Sequence, residues 1–339
     1  MSRIIRFHQF GAADVLKLEE QACPRPGAGE VLVRVEAIGV SWYDVLWRQN
    51  LACTPAQLPA GLGHELAGVV LAVGEGVDDL AVGDRVASFP AHSANHYPGY
   101  AEEALLPRQS LHRYPAQLSA LEACGHYLPA LIGWFGLVEL AGLSAGESVL
   151  VTDASQCCGP SVVQLAKGLG ARVIAATKLA EDRDYLRELG ADQVILTEEQ
   201  DLVTRINQLT DGRGVDVVMD ALGGPQMSLL GDALAPRGRL VLYGLQGGND
   251  THFPACAAFQ KNIRFFVHCI GNFTGKEELG IPQDRAAVAR ALQDIDRLTV
   301  AGQLRPQISR VLPFEQVVEA HRLMETCPPR GRVVLQVGR

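Results

Sequence analysis

The stretch that decides the fold is Glu147 to Lys178, ESVLVTDASQCCGPSVVQLAKGLGARVIAATK. Its apolar run VLV predicts a strand, and Gly159-Pro160 opens a helical pattern that closes at Gly168 and Gly170. The segment RVIAAT that follows is apolar and β-branched, which predicts a second strand. Such a stretch is typical of a parallel βαβ unit, whose helix N-terminus attracts a phosphate through unpaired N–H groups and the helix dipole.

The turn inside this stretch departs from the usual glycine pattern. A dinucleotide-binding turn commonly reads G-x-G-x-x-G, whereas only the last glycine is present here. The turn by itself therefore leaves dinucleotide binding and a purely structural crossover equally open. If a dinucleotide does bind, the residues expected to contact it are Ser155, Gln156, Cys157, Cys158 and Gly159.

Length and charge narrow the class of protein. A chain of 339 residues is long enough for two domains. The net charge of −8 argues against a general binder of nucleic acid or of anionic membranes, because both partners are negatively charged. A small-molecule partner is expected instead.

The sequence contains no pattern that directs it to a membrane or to secretion. The N-terminal segment lacks the apolar core of a signal peptide. The most apolar segment, Leu128 to Leu143, carries Pro129 and Glu139 and is shorter than a membrane span. The scattered cysteines form no C-x-x-C motif, so we expect structural thiols in a reducing cytoplasm. These cysteines are Cys23, Cys53, Cys124, Cys157, Cys158, Cys256, Cys269 and Cys327.

Two kinds of pattern divide the chain. Up to about Leu121 it consists of short strands and turns, with a helix signal at Tyr43–Gln49, which predicts a β-rich, barrel-like domain. After it, strands and helices alternate at short spacing, which is the signature of a doubly wound parallel sheet. The fold class is therefore α/β, with a β-rich domain in residues 1–123, completed by 271–339, and a Rossmann dinucleotide-binding domain in 124–270.

Ten segments in register give the chain a family resemblance. They include PRPGAGEVLVRVEAIGVSWYD, GLGHELAGVVLAVGEGV, VGDRVA, GLSAGESVLV, LGADQVI, GRGVDVVMDALGG and LAPRGRLVLYG. Together they resemble the medium-chain dehydrogenase/reductase superfamily, in its quinone-oxidoreductase and zinc-type alcohol-dehydrogenase-like branch. The resemblance implies a GroES-like catalytic domain, a Rossmann domain, a nicotinamide cofactor, hydride transfer and a homodimer.

Coenzyme choice is expected at the end of the second strand. An acidic residue there would bond the ribose 2′-hydroxyl of NAD and repel a 2′-phosphate. This chain has Thr177 and Lys178 instead, with Arg183 five residues after Lys178. Cationic side chains pair with a phosphate, so the sequence predicts NADPH, unless both are ordinary solvated charges. By resemblance, further cofactor contacts are expected from Leu222, Gly244, Leu245, Ile270, Asn272 and Arg332.

A catalytic zinc is not expected, because the resemblance aligns the wrong residue types with the family's zinc ligands. Gly63-His64-Glu65 matches the histidine–glutamate pair, but Ser41 and Leu128 stand where zinc-dependent members have further ligands. A hydroxyl is a poor zinc ligand and leucine is none. Cys124 is one helical turn from Leu128. We expect His64 to hydrogen-bond with Asp44 instead.

The sequence thus predicts an NADPH-dependent oxidoreductase that transfers hydride to a quinone or an α,β-unsaturated carbonyl without zinc. Tyr43 occupies the proton-relay position of zinc relatives and is the expected proton donor, or else a packing residue. Ser41 and His64 would help to shape the pocket. Two alternatives remain open: a zinc-type alcohol or aldehyde dehydrogenase, and a non-catalytic NADPH-binding protein of the same fold.

Overall fold

The computed structural model describes residues 1–326 and 330–338, so Cys327 lies outside the described residues. Contacts divide the chain into two compact units. The first comprises Met1–Leu128, Gly271–Asp296 and Pro306–Arg339, and the second comprises Pro129–Ile270 and Arg297–Arg305.

The division lies slightly later in the chain than the predicted change after residue 123. Residues 297–305, expected in the first domain, belong to the second unit. There Leu298 packs so closely on Gly168 that a Cβ on the glycine would lie 3.1 Å from the Leu298 Cδ2 atom. Side-chain packing therefore assigns this segment to the unit that contains the βαβ stretch.

Most strands of the described residues are short, and the longest is β3, Glu30–Val40, in the first unit. In chain order they are β1 Ser2–Arg6, β2 Lys17–Gln21, β3 Glu30–Val40, β4 Leu66–Val73, β5 Arg85–Ser88, β6 Glu103–Pro107, β7 Leu111–Arg113, β8 Ser148–Val151, β9 Arg172–Thr177, β10 Gln193–Leu196, β11 Val215–Asp220, β12 Leu234–Leu242, β13 Arg264–Val267, β14 Ile308–Pro313 and β15 Arg332–Gln336.

The helices connect these strands. In chain order they are α1 Trp42–Arg48, α2 Ala120–Ala123, α3 Tyr127–Trp134, α4 Gly159–Gly168, α5 Arg183–Glu188, α6 Leu202–Leu209, α7 Met227–Ala233, α8 Ala255–Lys261, α9 Gly271–Thr274, α10 Arg285–Val300 and α11 Val317–Thr326. Phe135–Leu140 is π-helical, and short 3₁₀ turns lie at Ala13–Val15, Arg108–Ser110, Ala180–Asp182, Glu277–Leu279 and Phe314–Gln316. Among the described residues, no helix is both long and apolar enough to cross a membrane.

The first unit is built on the long strand β3. Its first half pairs with β6 and its second half with β15, while β4 runs along its other edge. Irregular pairing with β4 at Leu32/Val33 and Val35/Ala37 bends the strand, as bulges do. The sheet order is β14-β15-β3-β4-β5-β7, and among the described strands of this sheet only β14 and β15 pair in parallel. This is the β-rich unit that the sequence predicts.

The second unit is a six-stranded parallel sheet in the order β10-β9-β8-β11-β12-β13. This is the strand order of the dinucleotide-binding doubly wound fold, with β8 and β9 the strands predicted from the opening stretch. All six residues of β11 are buried, as expected for a strand that is covered on both faces. Leu150, Ile174, Ile195, Val218 and Leu240 form the core between the sheet and its helices. The predicted α/β fold class is confirmed.

Candidate active site

The first group of candidate residues lies where β3 passes into α1. Ser41 caps the helix: its Oγ accepts a hydrogen bond from the Asp44 N–H at 3.2 Å. The Asp44 Oδ2 in return accepts from the Ser41 N–H at 3.0 Å and lies 2.9 Å from the Ser41 Oγ. This reciprocal capping box follows from the sequence pattern Ser-x-x-Asp. It fixes both side chains, which are almost completely buried.

Asp44 faces the histidine that the sequence pairs with it. The His64 Nδ1 lies 3.8 Å from the Asp44 Oδ1, which is ion-pair distance, while the Tyr100 hydroxyl donates to Oδ2 at 3.0 Å. The Asp44 Oδ2 thus accepts hydrogen bonds from Ser41 and Tyr100, and His64 lies at ion-pair distance from the other carboxylate oxygen. Burial raises the pKa of Asp44, but His64 and the Ser41 N–H outweigh it and hold that pKa below its ordinary value.

Aromatic rings surround His64. The Tyr43 ring lies edge-on to it, with centroids 5.3 Å apart, and Trp47 lies 6.4 Å away on an edge-to-face contact. Burial raises the pKa of Tyr43 to about 12, so its hydroxyl keeps the proton at neutral pH. Ser41, Tyr43, Asp44 and His64 therefore form one cluster, in which Tyr43 is a neutral hydrogen-bond donor.

A second histidine joins this cluster from the segment between residues 90 and 98. His92 packs on His64, with centroids 5.3 Å apart and planes 31° from parallel. The segment is made of turns, so His92 and His96 do not form a helical metal-binding pair, and His96 is exposed. Burial, and then the charge of His64, lower the pKa of His92 to about 3. The sequence gives no local signal for this contact.

The residues around His64 do not fit a catalytic zinc. The Ser41 hydroxyl is held by Asp44, and Leu128 offers no donor atom. The Cys124 thiol is buried and lies 3.3 Å from the Leu121 carbonyl oxygen, and burial raises its pKa, which disfavours the thiolate that binds metal. Cys124 follows the end of α2 and Leu128 lies in α3, so one continuous helix does not carry both.

Glu65 is held by an arginine that the sequence assigned to the cofactor. Arg332 Nη2 donates to Glu65 Oε2, and the side chains are 6% and 1% exposed. Burial raises the pKa of Glu65 to about 7, although the Arg332 charge lowers it. The structure thus places Arg332 in a buried ion pair of the first unit, and its contact with a cofactor stays a prediction.

The turn before α4 is tight. A Cβ on Gly159 would lie 2.5 Å from the Ala154 carbonyl oxygen, so only glycine fits. Ser155 is buried, and its Oγ lies 3.2 Å from the Thr177 Oγ1. These two hydroxyls join the turn to the end of β9. Half-buried side chains at 156–158 are the part of the predicted turn that a ligand can reach.

The end of β9 presents one exposed cation. Lys178 is exposed and makes no hydrogen bond or ion pair within 1–326 and 330–338. Thr177 Oγ1 donates to the fully buried Asp182 at 3.1 Å, an acid that the sequence interpretation missed because it comes five residues after the strand. Arg183 lies 3.9 Å from Glu199. Lys178 is thus better placed than Arg183 to meet a phosphate.

Two further predicted residues follow the ends of β11 and β12. The Leu222 N–H lies 3.2 Å from the Asp220 Oδ1, which accepts its hydrogen bond. A Cβ on Gly244 would lie 2.4 Å from the Ala221 carbonyl oxygen, so glycine allows these two loops to meet. Parallel sheets bind ligands outside the carboxyl ends of their strands, and both residues lie there.

The remaining predicted cofactor residues are Leu245, Ile270 and Asn272. Leu245 is 55% exposed. Ile270 ends the second unit, while Asn272 is an exposed residue of α9 in the first unit. Their contact with a cofactor stays a prediction.

Asp153 in the turn is expected to destabilise the protein above pH 6. Burial, and then Asp182 and Asp220, outweigh Lys178 and raise the pKa of Asp153 from 3.8 to about 6. Between these values the folded protein keeps a proton that the unfolded chain has lost, so the free energy of unfolding falls as pH rises. Asp153→Asn should stabilise the protein by roughly 1–2 kcal/mol at about pH 7.5 and by less at about pH 4.5.

Urea unfolding of the Asp153→Asn variant at both pH values measures this. Asp211→Asn is the matched control, because Asp211 is exposed and has a similar left-handed φ, +53° against +47°. Equal stabilisation by the two substitutions at both pH values would contradict the assignment.

Comparison with known proteins places this arrangement in a family. Residues 27–116 match the alcohol dehydrogenase GroES-like domain, and residues 158–287 match the zinc-binding dehydrogenase domain. The chain is 30% identical over 336 residues to quinone oxidoreductase of Pseudomonas aeruginosa, covering 99% of both chains. It is also 30% identical over 347 residues to the synaptic vesicle membrane protein VAT-1 homolog of Rattus norvegicus, covering 97% of this chain and 82% of that one.

Solved structures agree with this assignment. The chain matches an NAD-dependent alcohol dehydrogenase with a TM-score of 0.88 at 30% identity, covering 99% and 100% of the two chains. Escherichia coli quinone oxidoreductase complexed with NADPH gives a TM-score of 0.86 at 27% identity, with the same coverage. The two matched domains and the two quinone oxidoreductases support the same assignment. The chain is an oxidoreductase of the medium-chain dehydrogenase/reductase superfamily and belongs to its quinone-oxidoreductase branch.

Proposed function

We propose that this oxidoreductase uses NADPH to reduce a quinone or an α,β-unsaturated carbonyl compound, without a catalytic zinc. The observation that carries the proposal is the cluster around His64. It offers the neutral hydroxyl of Tyr43 as a donor, while the residues at the zinc-ligand positions are Ser41, used as a helix cap, and Leu128, which has no ligand atom.

The residues of the second unit fit a dinucleotide with a 2′-phosphate. The turn at 152–159 precedes the N-terminus of α4, where backbone N–H groups favour a pyrophosphate. Lys178 is an exposed cation that follows β9. The nearby acid, Asp182, is buried and accepts a hydrogen bond from Thr177. NADPH, when bound, supplies the hydride. Quinone oxidoreductase of Escherichia coli, a structural relative, was solved in complex with NADPH.

Electron-poor acceptors suit a site without a metal. A quinone or enone accepts hydride and gathers negative charge on its oxygen, which a hydrogen-bond donor can stabilise. Tyr43 keeps its proton at neutral pH and can donate it to that oxygen. An unactivated ketone or alcohol needs stronger polarisation of its oxygen than one phenol provides, and the residues around His64 supply no zinc ligand set for it.

A screen of NADPH consumption tests the proposal. Quinones, enones and aldehydes are each offered with NADPH and with NADH, and the metal content of the same preparation is measured. Turnover with quinones or enones in protein that contains no stoichiometric zinc is the expected result. Stoichiometric zinc with alcohol or aldehyde turnover would favour the zinc-type dehydrogenase. NADPH binding without any turnover would favour the non-catalytic binding protein.

Replacement of Tyr43 by phenylalanine is expected to lower kcat by about 10²-fold or more, because general acid catalysis contributes about 10²–10⁴-fold. The Michaelis constant for NADPH should stay within about twofold of wild type, since the lost hydroxyl acts after hydride transfer begins. Steady-state kinetics with the best acceptor measures both. Tyr185→Phe, in α5 of the second unit, is the matched control. Full turnover in Tyr43→Phe would remove the proposed acid.

We also propose that the protein forms a homodimer through the free edge of the parallel sheet. β13 pairs only with β12 among the described strands, and Val267 at its end is 65% exposed. Phe259, in α8 five residues before the strand begins, is 91% exposed. An exposed strand edge with apolar neighbours favours pairing with another strand. A second copy of the chain is the proposed partner, because β13 of one copy can pair with β13 of the other about a two-fold axis.

Val267→Lys is expected to convert the dimer to a monomer, because charged side chains on a strand edge block edge-to-edge pairing. Light scattering coupled to size exclusion measures the mass in solution. Val82→Lys is the matched control, since Val82 is 68% exposed in the first unit. A wild-type protein that is already monomeric, or dimers that survive Val267→Lys, would contradict this interface.

A further inference from the structure

Two adjacent cysteines occupy the turn that the proposed function assigns to the pyrophosphate. Neither Cys157 nor Cys158 is in a disulfide, and both are half-buried, so solvent reaches them. Cys158 is the N-cap of α4, whose first residue is Gly159. The proposed function uses the backbone of this turn and leaves the two thiol groups without a role.

The backbone at Cys157 favours a different residue. Its φ is +48°, in the left-handed region that disfavours a side chain and suits glycine. A thiol is therefore held at a position that the turn would fill more easily with glycine. The two residues lie in the turn before the N-terminus of α4, the part of such a unit that binds the phosphates of a dinucleotide.

The environment of the pair is polar. The Tyr243 hydroxyl oxygen is buried and makes no hydrogen bond within the described residues. Burial first, and then the charges of Cys158, Asp153, Asp220 and Cys157, raise the pKa of Tyr243 well above its ordinary value. The two thiols and two carboxylates therefore lie near the Tyr243 phenol at the carboxyl ends of neighbouring strands.

A disulfide between the two neighbours does not suit the chain geometry. Cα atoms joined by a trans peptide lie about 3.8 Å apart, below the usual disulfide range of about 4.4–6.8 Å. Reaction with a separate small disulfide has no such restriction. One protein thiolate attacks a sulfur of the small disulfide, a protein–sulfur bond forms, and the other half leaves as a thiolate. The protein sulfur is oxidised, the leaving half is reduced, and the thiol proton goes to water.

We propose that Cys157 and Cys158 form a thiol-modification site for low-molecular-weight disulfides, and that an occupied site excludes the dinucleotide from its turn. The inference rests on the proposed binding of NADPH at 152–159. A mixed disulfide places a bulky group where the phosphates bind, and with glutathione it adds negative charge. Binding of NADPH and modification of the turn therefore exclude each other.

The test uses glutathione disulfide on the full-length protein and on a Cys157→Gly/Cys158→Ser double variant. Glycine suits the positive φ at 157, and thermal unfolding checks that the variant folds. Peptide mapping by mass spectrometry locates the modification, and fluorescence titration gives the NADPH dissociation constant before and after treatment. Each protein is compared only with its own untreated form. The exposed Cys23 and Cys256 remain in both proteins as internal controls.

Treatment is expected to raise the NADPH dissociation constant of the wild type at least about tenfold, reversibly with a reducing agent. The ratio for the double variant should stay near one. An equal rise in the double variant, no modification at 157 and 158, or modified wild type that binds NADPH normally would overturn the inference. If the variant does not fold, the alkylation rates of Cys157 and Cys158 in the wild type are measured with and without NADPH, and Cys23 is the control. Slower alkylation of the pair in NADPH, with Cys23 unaffected, supports the inference. An unchanged rate overturns it.

The two proposals fail differently. Untreated wild-type protein that binds no NADPH contradicts the proposed function, and the inference falls with it. Untreated protein that binds NADPH, with binding that is indifferent to modification of Cys157 and Cys158, contradicts the inference alone.

Discussion

Replacement of Glu65 by alanine is expected to lower the free energy of unfolding by about 3–5 kcal/mol, because it removes the carboxylate from a buried ion pair. The two side chains are 1% and 6% exposed and form an ion pair. Glu65 lies against Gly39 of β3, where a Cβ would be 3.2 Å from the Glu65 Cβ and 2.7 Å from the Cys124 carbonyl oxygen. Glycine in β3 thus makes room for the buried charges.

A double-mutant cycle measures the interaction energy between the side chains of Glu65 and Arg332. Glu65→Leu combined with Arg332→Met should recover most of the loss, since an apolar pair of similar volume needs no desolvation of charge. Asp79→Ala is the control: its ion pair with Arg108 is exposed, and such pairs contribute about 0–1 kcal/mol. Urea unfolding measures all variants. A loss in Glu65→Ala no larger than in Asp79→Ala would contradict the role of the buried pair.

In the Arg332→Met single variant, the free energy of unfolding is expected to depend on pH through Glu65. Burial already raises the pKa of Glu65 from 4.5 to about 7 against the pull of Arg332, and removal of the arginine raises that pKa further. The folded variant then keeps a proton that the unfolded chain releases above 4.5. The free energy of unfolding should therefore fall as pH rises, with a smaller deficit at about pH 5 than at about pH 8.

Replacement of Lys178 by alanine is expected to raise the dissociation constant of NADPH by about 10–100-fold, because a hydrogen bond to a charged group contributes roughly 1.5–3 kcal/mol. Binding of NADH should change by less than about twofold, since it has no 2′-phosphate. Lys178 carries the effect because it is the exposed cation at the end of β9. Arg183 is half-buried beside Glu199 and contributes less.

Fluorescence titration with both coenzymes gives the ratio that decides this prediction. Lys167→Ala is the matched control, because Lys167 in α4 is held by Asp192 at 2.7 Å. The NADPH effect should also weaken at high salt, as the attraction between an exposed lysine and a phosphate is screened. Equal losses for NADH and NADPH in Lys178→Ala would assign the lysine a structural role. A wild-type preference for NADH would contradict the proposed coenzyme.

Local pattern was sufficient for the fold. The apolar and β-branched runs of Glu147 to Lys178 have the periods of strand, helix and strand, and the structure has β8, α4 and β9 there. The helix signal at Tyr43–Gln49 corresponds to α1 Trp42–Arg48, and its Ser-x-x-Asp cap is visible in the sequence. Periodicity and caps arise from neighbours a few residues apart, which is why the sequence reveals them.

The site depends on residues that are far apart in the chain. Glu65 and Arg332 are separated by 267 positions, so the sequence carries no local sign of their ion pair. His92 reaches His64 from a turn without periodic pattern, and Asp182 reaches Thr177 across a loop. Sequence alone determined that this chain has a β-rich unit, a Rossmann unit and a family. Tertiary structure decided which charges are buried together and which remain exposed for a ligand, because burial and charge pairing depend on contacts across sheets and loops.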